Sequence, residues 1–250
     1  MPPKPQLTHF LCLPLITATS RPQFQAALQR FTSEVAAPNE AGEAQLPPKA
    51  IRPVGALHLT LGVMSLLTPE RLDAACTMLR EFEITDLLRT CSDSFPATLS
   101  TVTFSGLHAM QSPTRTSSLY TAPTVSATPL LPFCATLRQA FIDAGFLVPE
   151  DRQMKLHATI VNTIYAREAK SGKKRWGKGR GKLDARELIE KYKDFEWAKD
   201  FRIEKVAICE MGAKNIVEGM RWWIKFTLRL LVFRCPLLRR QRALHDICRF

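Results

Sequence analysis

Two copies of a short histidine motif carry residue types that suit phosphodiester chemistry. LHLTL contains His58 and Thr60, and LHATI contains His157 and Thr159, so both read His-x-Thr in an apolar frame. Near neutral pH, one neutral imidazole takes a proton from an attacking water or hydroxyl, and a second, protonated imidazole donates one to the leaving oxygen. Threonine hydroxyls donate hydrogen bonds to non-bridging phosphate oxygens, where negative charge grows in the transition state. This chemistry needs no metal ion or other cofactor.

The spacing within each motif predicts a β-strand with both polar side chains on one face. Residues i and i+2 of a strand point the same way, so each His lies beside its own Thr while Leu59 and Ala158 point into the core. Two such strands facing each other would bring two imidazoles and two hydroxyls into one cleft. The alternative is two unrelated histidines, each hydrogen-bonded locally; the repeated frame favours the paired site. His9 and His108 lack this frame and are expected to be structural, and His245 to belong to the C-terminal tail.

The elements around the motifs follow a β-α-β-α-β order that occurs twice. Ser20 followed by Gln23 is a capping-box pattern that predicts a helix start, and Thr68 before a proline predicts another. Helical and strand periodicities predict the remaining elements. The predicted strands are 7–15, 51–66, 97–105, 117–121, 155–165 and 201–211, and the predicted helices begin at Ser20, Thr68, Leu131 and Asp184. The two halves are expected to be related lobes.

The composition describes a basic globular protein. With 250 residues, 46% hydrophobic and 23% charged, the chain has enough apolar residues for a core. Its net charge of +12 is expected to attract polyanions such as nucleic acids, with a solvated surface as the alternative. Seven cysteines without a C-x-x-C pair argue against a zinc site or disulfide framework and favour the cytosol or nucleus. The apolar stretches 10–16 and 222–233 are too short or too charged for a signal peptide or a membrane span.

A basic, glycine-rich stretch, KSGKKRWGKGRGK over 170–182, follows the second motif. Its cations could follow an RNA backbone while Trp176 stacks on a base; a solvated loop and a nuclear localisation signal are the alternatives. The predicted RNA-binding residues are Lys173, Lys174, Arg175, Trp176, Lys178 and Arg180. Phe104 and Tyr120 are expected in the core, and Asn162, at an odd offset from His157, is expected on the opposite face of its strand.

The stretches LHLTLGVMSL and KLHATIVNTIYA resemble the two signature motifs of the two-histidine (2H) phosphoesterase superfamily. Within it, they are most similar to the A-kinase anchor protein nuclear-localisation-signal-like domain. That branch includes the phosphoesterase-like half of activating signal cointegrator complex subunit 1. The stretches THFLCLPL and ICEMG support the resemblance, which runs from about Leu7 to Gly212.

The resemblance implies an α+β, bilobal fold with two antiparallel sheets facing a central groove. The domain is expected over 1–218, with lobes of about 1–105 and 106–218. It implies a metal-independent phosphodiesterase acting on RNA ends or cyclic nucleotide phosphates, with His58 and His157 as the catalytic pair and Thr60 and Thr159 on the phosphate.

The resemblance also leaves a second function open, a non-catalytic nucleotide- or RNA-binding module of a nuclear transcription-coregulator or RNA-repair complex. The expected partners are accordingly RNA or a nucleotide phosphate and a nuclear coregulator complex. The expected location is the nucleus, the cytoplasm or both.

The segment 219–250 differs in composition from everything before it. It holds eight Lys or Arg residues and one acid, Asp246, and so carries +7 of the net charge. It is either a basic amphipathic tail for a membrane surface or a partner, or an aberrant sequence such as a misread splice boundary.

Overall fold

The structure is a computed structural model that describes residues 5–37, 45–82, 87, 101–124, 130–150, 152–166 and 182–212. The described part contains seven strands and four helices. The strands are β1 His9–Pro14, β2 His58–Met64, β3 Val102–Ala109, β4 Ser118–Thr124, β5 Ala158–Asn162, β6 Glu196–Phe201 and β7 Ala207–Glu210. The helices are α1 Ser20–Ala36, α2 Pro69–Glu81, α3 Leu130–Asp143 and α4 Arg186–Lys191. The predicted RNA-binding residues of the 170–182 stretch and the tail 219–250 lie outside the described residues.

Two antiparallel sheets carry the motif strands at their edges. One has the order β2-β1-β7 and the other β5-β4-β3-β6, with every pair antiparallel. The predicted α+β class with two antiparallel sheets is confirmed. Because β2 and β5 are edge strands, each motif has one neighbouring strand in its own sheet and a second edge open to other parts of the chain.

The last part of the described chain crosses between the sheets. The single strand predicted over 201–211 is two strands, since β6 pairs with β3 and β7 pairs with β1. The predicted lobe boundary near residue 105 lies inside β3, which belongs to the second sheet. The first sheet is therefore completed by a strand from the second half of the chain.

The main core lies between the helices and the inner faces of both sheets. The apolar residues of α1 that recur at helical spacing are buried. Among them, Phe24 packs edge-on against Phe104 and Phe201 of the second sheet, with ring centroids 6.0 and 5.6 Å apart. Burial of each such ring contributes about 1.5–3 kcal/mol. In the first sheet Leu59 and Leu61 enter the same core. His58 and Thr60, which alternate with these leucines, therefore lie on the opposite face of β2.

Two predicted helix starts have different outcomes. Thr68 accepts a hydrogen bond from the Arg71 N–H at 3.3 Å and Pro69 opens α2, as predicted. The predicted Ser20–Gln23 capping box is wrong. Instead, the Ser20 N–H donates to the Thr17 hydroxyl at 3.1 Å, and the Thr17 N–H donates to the Ser20 hydroxyl at 2.9 Å. The capping box therefore lies three residues earlier than predicted, with Thr17 as its first residue and Ser20 as its last.

Candidate active site

The two motif histidines are held by the same local contact. His58 opens β2, and its Nδ1 lies 2.7 Å from the carbonyl oxygen of Ala56. His157 directly precedes β5, and its Nδ1 lies 2.8 Å from the carbonyl oxygen of Lys155. A carbonyl oxygen only accepts, so the neutral form of each ring carries its proton on Nδ1 and a lone pair on Nε2. Both rings thus turn a proton-accepting nitrogen away from their own backbone.

A β-bulge follows each motif threonine. In β2 the register with β1 shifts after Thr60, which leaves Leu61 without an opposite residue in β1. In β5 the register with β4 shifts after Thr159, which leaves Ile160 without an opposite residue in β4. Bulges bend a strand and increase its local twist. The two halves therefore share the position of this irregularity as well as the motif.

The two motif strands are joined by a reciprocal exchange of chain segments. Ile51, which precedes β2, bridges to Val161 on the open edge of β5, and Leu147, which precedes β5, bridges to Met64 on the open edge of β2. Two backbone hydrogen bonds complete the exchange, from Arg52 N–H to Ile160 O at 2.8 Å and from Val148 N–H to Val63 O at 2.9 Å. The segment before each motif strand thus pairs with the open edge of the other motif strand, and these contacts bring β2 and β5 together.

The motif threonines present free hydroxyls. Thr60 and Thr159 lie two residues after their histidines and are partly exposed, whereas Leu59 and Ala158 between them are fully buried. Among the described residues, neither threonine hydroxyl has a hydrogen-bond partner. The predicted placement of each Thr on the same face as its His is confirmed. Both hydroxyls are available to donate to an anion.

The electrostatic surroundings of His58 favour its neutral form. Burial is the main cause, with the Phe10 ring 4.9 Å away, and it lowers the pKa of His58 to about 4. The hydrogen bond to Ala56 opposes this shift, and the electrostatic influence of Arg52 and of His157 lowers the pKa further. His58 and His157 are therefore close enough for their charges to interact. His58 is neutral at physiological pH, with Nε2 ready to accept a proton.

Three residues around the histidines were not identified from the sequence as part of the site. Tyr120 is buried, as predicted, but its ring packs edge-on against His157 with centroids 5.4 Å apart. The Lys155 ammonium lies 4.8 Å from the same ring, and Arg52 acts on His58. Tyr120 lies opposite Thr159 in the sheet, which only strand register reveals. Of the three residues, Lys155 could have been identified from the sequence, because it precedes His157 by only two residues.

His108 and His9, both expected to be structural, lie in different surroundings. The side chain of His108 on β3 is exposed to solvent on one side and packs on the other against the Tyr120 ring, with ring centroids 5.4 Å apart. Burial and then the charge of Lys155 lower the pKa of His108. His9 is buried and its Nδ1 lies 2.9 Å from the Thr8 hydroxyl. Burial lowers the pKa of His9 as well, while Glu210 opposes the shift.

The expectation that Asn162 faces away from the site is wrong. Asn162 lies opposite Ser118, and Thr159 lies opposite Tyr120 two residues further along β4, so all four share one face. The bulge at Ile160 reverses the alternation that the sequence offset assumes. Asn162 is used structurally there, since its side-chain oxygen accepts the Ile164 N–H at 3.0 Å.

Other features of the described chain lie apart from the histidines. Two surface depressions of about 680 and 670 Å³ are found. One lies along α2 at Asp73 and Phe82, and the other lies between α1 and β6 at Arg30 and Trp197; neither contains a histidine.

Among the described residues, no group of three or more His, Cys, Asp or Glu side chains is arranged to hold a metal ion. None of the described helices has both the length and the apolar character needed to cross a bilayer.

Several solved structures resemble this one. A crystal structure of a phosphoesterase has 14% sequence identity and a TM-score of 0.49, over 88% of this chain and 94% of that one. Escherichia coli LigT complexed with 3′-AMP has 13% identity and a TM-score of 0.45, over 85% and 91%. LigT complexed with ATP has 11% identity and a TM-score of 0.46, over 86% and 92%. No curated protein sequence matches the chain.

The family is shown by the sequence. The model of the AKAP7 2′5′ RNA ligase-like domain matches residues 7–220, which include both motifs and all the described strands. The resemblance read from the motifs is confirmed. This chain belongs to the AKAP7 2′5′ RNA ligase-like domain family.

Proposed function

We propose that this protein hydrolyses a phosphodiester, either a 2′,3′-cyclic nucleotide phosphate or a bond at an RNA end, through His58 and His157. The observation that carries this proposal is the matched pair of imidazoles, each with Nδ1 on a backbone carbonyl. Each is followed on the same face by a threonine hydroxyl that has no hydrogen-bond partner in the described part of the chain. Two such sets on neighbouring strands supply a base, an acid and two donors for phosphate oxygens.

The different surroundings of the two rings assign their roles. With a pKa of about 4, His58 is neutral at physiological pH, which is the form that a general base requires. His157 is more exposed to solvent and is the general acid. Water attacks phosphorus and gives its proton to Nε2 of His58. The bond from phosphorus to the leaving oxygen breaks, and that oxygen takes the proton from Nε2 of His157.

Positive charge around the histidines supports an anionic substrate. Arg52 lies close enough to His58 for its charge to lower the pKa of the ring, and the Lys155 ammonium lies beside Tyr120, which contacts His157. Among the residues that the structure describes, no acidic side chain contributes to the pKa shift of His58. A phosphate placed between Thr60 and Thr159 would therefore meet cations and hydroxyl donors.

Turnover of 2′,3′-cyclic nucleotides and of RNA oligomers ending in a cyclic phosphate, measured in EDTA, tests the proposal. The H58A and H157A variants are expected to lose about 100-fold or more of kcat. H9Q is the matched control, because His9 lies at the far end of β1, opposite Met64 rather than the motif. Hydrolysis by wild type that persists in both motif variants would refute the two-histidine mechanism.

The second candidate function is nucleotide or RNA binding without turnover, and the cations at Arg52 and Lys155 favour it equally. Folded wild-type protein that binds RNA but hydrolyses none of the substrates would support this function and refute hydrolysis of these substrates. The nuclear location and the coregulator complex stay predictions of the resemblance.

A further inference from the structure

A third histidine, His108, lies on the same face of the second sheet as the motif residues of β5. The register of β3 with β4 shifts just before it, where Gly106 and Leu107 lie opposite Thr121 alone. Because of this bulge, Leu107 is buried like Phe104, and His108 is exposed on the opposite face. Regular alternation from Phe104 would instead turn His108 toward the core. β-Bulges beside active sites re-aim side chains in this way.

The ring of His108 belongs to a row of residues that crosses three strands. Gly106 has a φ of 73°, and a Cβ there would lie 3.2 Å from Nε2 of His108, so the imidazole uses the space that this glycine leaves open. His108 lies opposite Tyr120, with ring centroids 5.4 Å apart. Tyr120 in turn lies opposite Thr159. Thr159, Tyr120 and His108 therefore follow one another across the face that carries the motif.

Lys155 brings a positive charge to the same row. Its ammonium lies 4.8 Å from the centroid of the Tyr120 ring, while its backbone carbonyl contacts Nδ1 of His157. Burial lowers the pKa of His108, and the charge of Lys155 lowers it further, so the two side chains interact. Within the described ranges, no carboxylate forms an ion pair with either side chain. An anion bound between them would offset the repulsion between the ammonium and a protonated imidazole.

The spacing of the row suits a ligand that carries two phosphates. Thr159 and His108 are separated by two strand spacings, about 9.5 Å. Groups that bind two neighbouring phosphates must lie further apart than the phosphates themselves, because a hydrogen bond of about 2.8 Å is needed on each side. With one phosphate on the Thr159 hydroxyl, a second phosphate joined to it through a ribose would reach His108 and Lys155. Ammonium and imidazole N–H groups are suitable donors for it.

We propose that His108 and Lys155 form a subsite for a second phosphate of the substrate, beside Tyr120. This inference rests on the proposed function for the position of the first phosphate, between the two motif histidines. Of the two substrates proposed there, it favours the RNA end, in which a ribose carries a phosphate on either side, over a free cyclic mononucleotide. The subsite recognises charge and spacing, and it makes no contact that depends on the base.

Ligands that differ only in their phosphates test the subsite. Adenosine 3′,5′-bisphosphate, adenosine 3′-monophosphate and adenosine 5′-monophosphate share one nucleoside, so contacts to the base cancel when their dissociation constants are compared. The dissociation constants are measured by calorimetry on the full chain. The readout is the ratio of the dissociation constant of the tighter monophosphate to that of the bisphosphate. Wild type is expected to give a ratio of about 10 or more, the value of a hydrogen bond to a charged group.

Variants of His108 test whether the ratio comes from the proposed position. H108A is expected to bring the ratio close to one. H108F keeps an aromatic ring against Tyr120 but has no ring N–H, and it is expected to give the same low ratio, which excludes a loss of packing as the cause. H9Q is the matched control and is expected to keep the wild-type ratio, because His9 lies on β1 of the other sheet.

Variants of two lysines separate local contact from net charge. K155Q removes the ammonium but keeps the backbone carbonyl that contacts His157, and it is expected to lower the ratio. K199Q removes one positive charge from β6 of the same sheet, beyond the residues of β6 that pair with Phe104 and Ser105. It is expected to keep the wild-type ratio. Equal losses in K155Q and K199Q would show general attraction of anions and would overturn the subsite.

The outcomes separate this inference from the proposed function. A wild-type ratio of one, or an unchanged ratio in H108A and H108F, overturns the subsite even if H58A and H157A abolish turnover. A ratio that depends on His108 and Lys155 supports the subsite even if no substrate is hydrolysed. Wild type that binds none of the three ligands overturns the subsite, and the turnover assay then decides the proposed function by itself.

Discussion

His58 and His157 point Nδ1 at the carbonyl oxygens of residues two positions earlier in the chain, at 2.7 and 2.8 Å. The equal geometry leaves Nε2 of both rings without a hydrogen bond to any described residue. It also gives both histidines the same orientation relative to their strands. Their surroundings differ, because the Phe10 ring and the charge of Arg52 act on His58, whereas His157 packs against Tyr120. Two histidines with matched local contacts thus lie in different surroundings.

The pH dependence of turnover reports the role of His58. If neutral His58 is the base, kcat/KM should not fall between pH 7 and pH 5, and should fall only as the pH approaches about 4, where the ring takes up a proton. R52Q should move this acidic limb to higher pH, because a nearby positive charge is removed. An acidic limb near pH 6.5 in wild type would contradict the assignment of His58 as a base with a lowered pKa.

The same pKa predicts how the free energy of unfolding depends on pH. In the unfolded chain His58 takes up a proton near pH 6.5, whereas in the folded protein it resists protonation down to about pH 4. The contribution of His58 to the free energy of unfolding is therefore fully present above pH 6.5. It is lost as the pH drops toward 4, by up to about 3 kcal/mol. Urea unfolding of wild type and H58Q should show a smaller loss in the variant over this range. Equal losses in both proteins would contradict the prediction.

The threonine hydroxyls are expected to act on substrate and not on folding. T60V and T159V keep the side-chain shape but remove the hydroxyl, and each should lower kcat/KM by about 10- to 100-fold, the value of a hydrogen bond to a charged group. T60S and T159S should keep most of the activity. Because neither hydroxyl has a partner among the described residues, the urea midpoints of all four variants should stay close to wild type. A large loss of stability in the valine variants would instead indicate a structural role.

Gly106 is expected to be intolerant of a side chain. Gly106 and Gly145 have nearly equal positive φ angles, 73° and 71°. A Cβ on Gly106 would lie 2.9 Å from the Lys193 carbonyl oxygen, whereas nothing lies within 4 Å of one on Gly145. G145A should lower the free energy of unfolding by about 1 kcal/mol, because of the backbone conformation alone. G106A should lower it by clearly more, because β3 must also move away from the Lys193 carbonyl oxygen. Equal urea midpoints for the two variants would show that the contact is easily relieved.

The sequence by itself determined which residue types the candidate site contains and how each motif is arranged locally. A strand places residues i and i+2 on one face, so His58 with Thr60 and His157 with Thr159 could be paired from spacing alone. The buried stripe of α1 and the start of α2 at Thr68 follow from helical periodicity and from the preference of hydroxyl residues for the N-cap. These features depend on neighbours within a few residues, and such neighbours are visible in the sequence.

The tertiary structure alone decided how the two motifs meet. The bulge at Ile160 turns Asn162 toward the site face, and the register of β4 places Tyr120 beside His157. The bridges from Ile51 to Val161 and from Leu147 to Met64 join residues far apart in the chain. Such register and edge contacts arise from packing and hydrogen bonds across long separations, where local periodicity carries no information. For the same physical reason the burial of His58 and the influence of Arg52 on it, which together lower its pKa, could not be foreseen from the sequence.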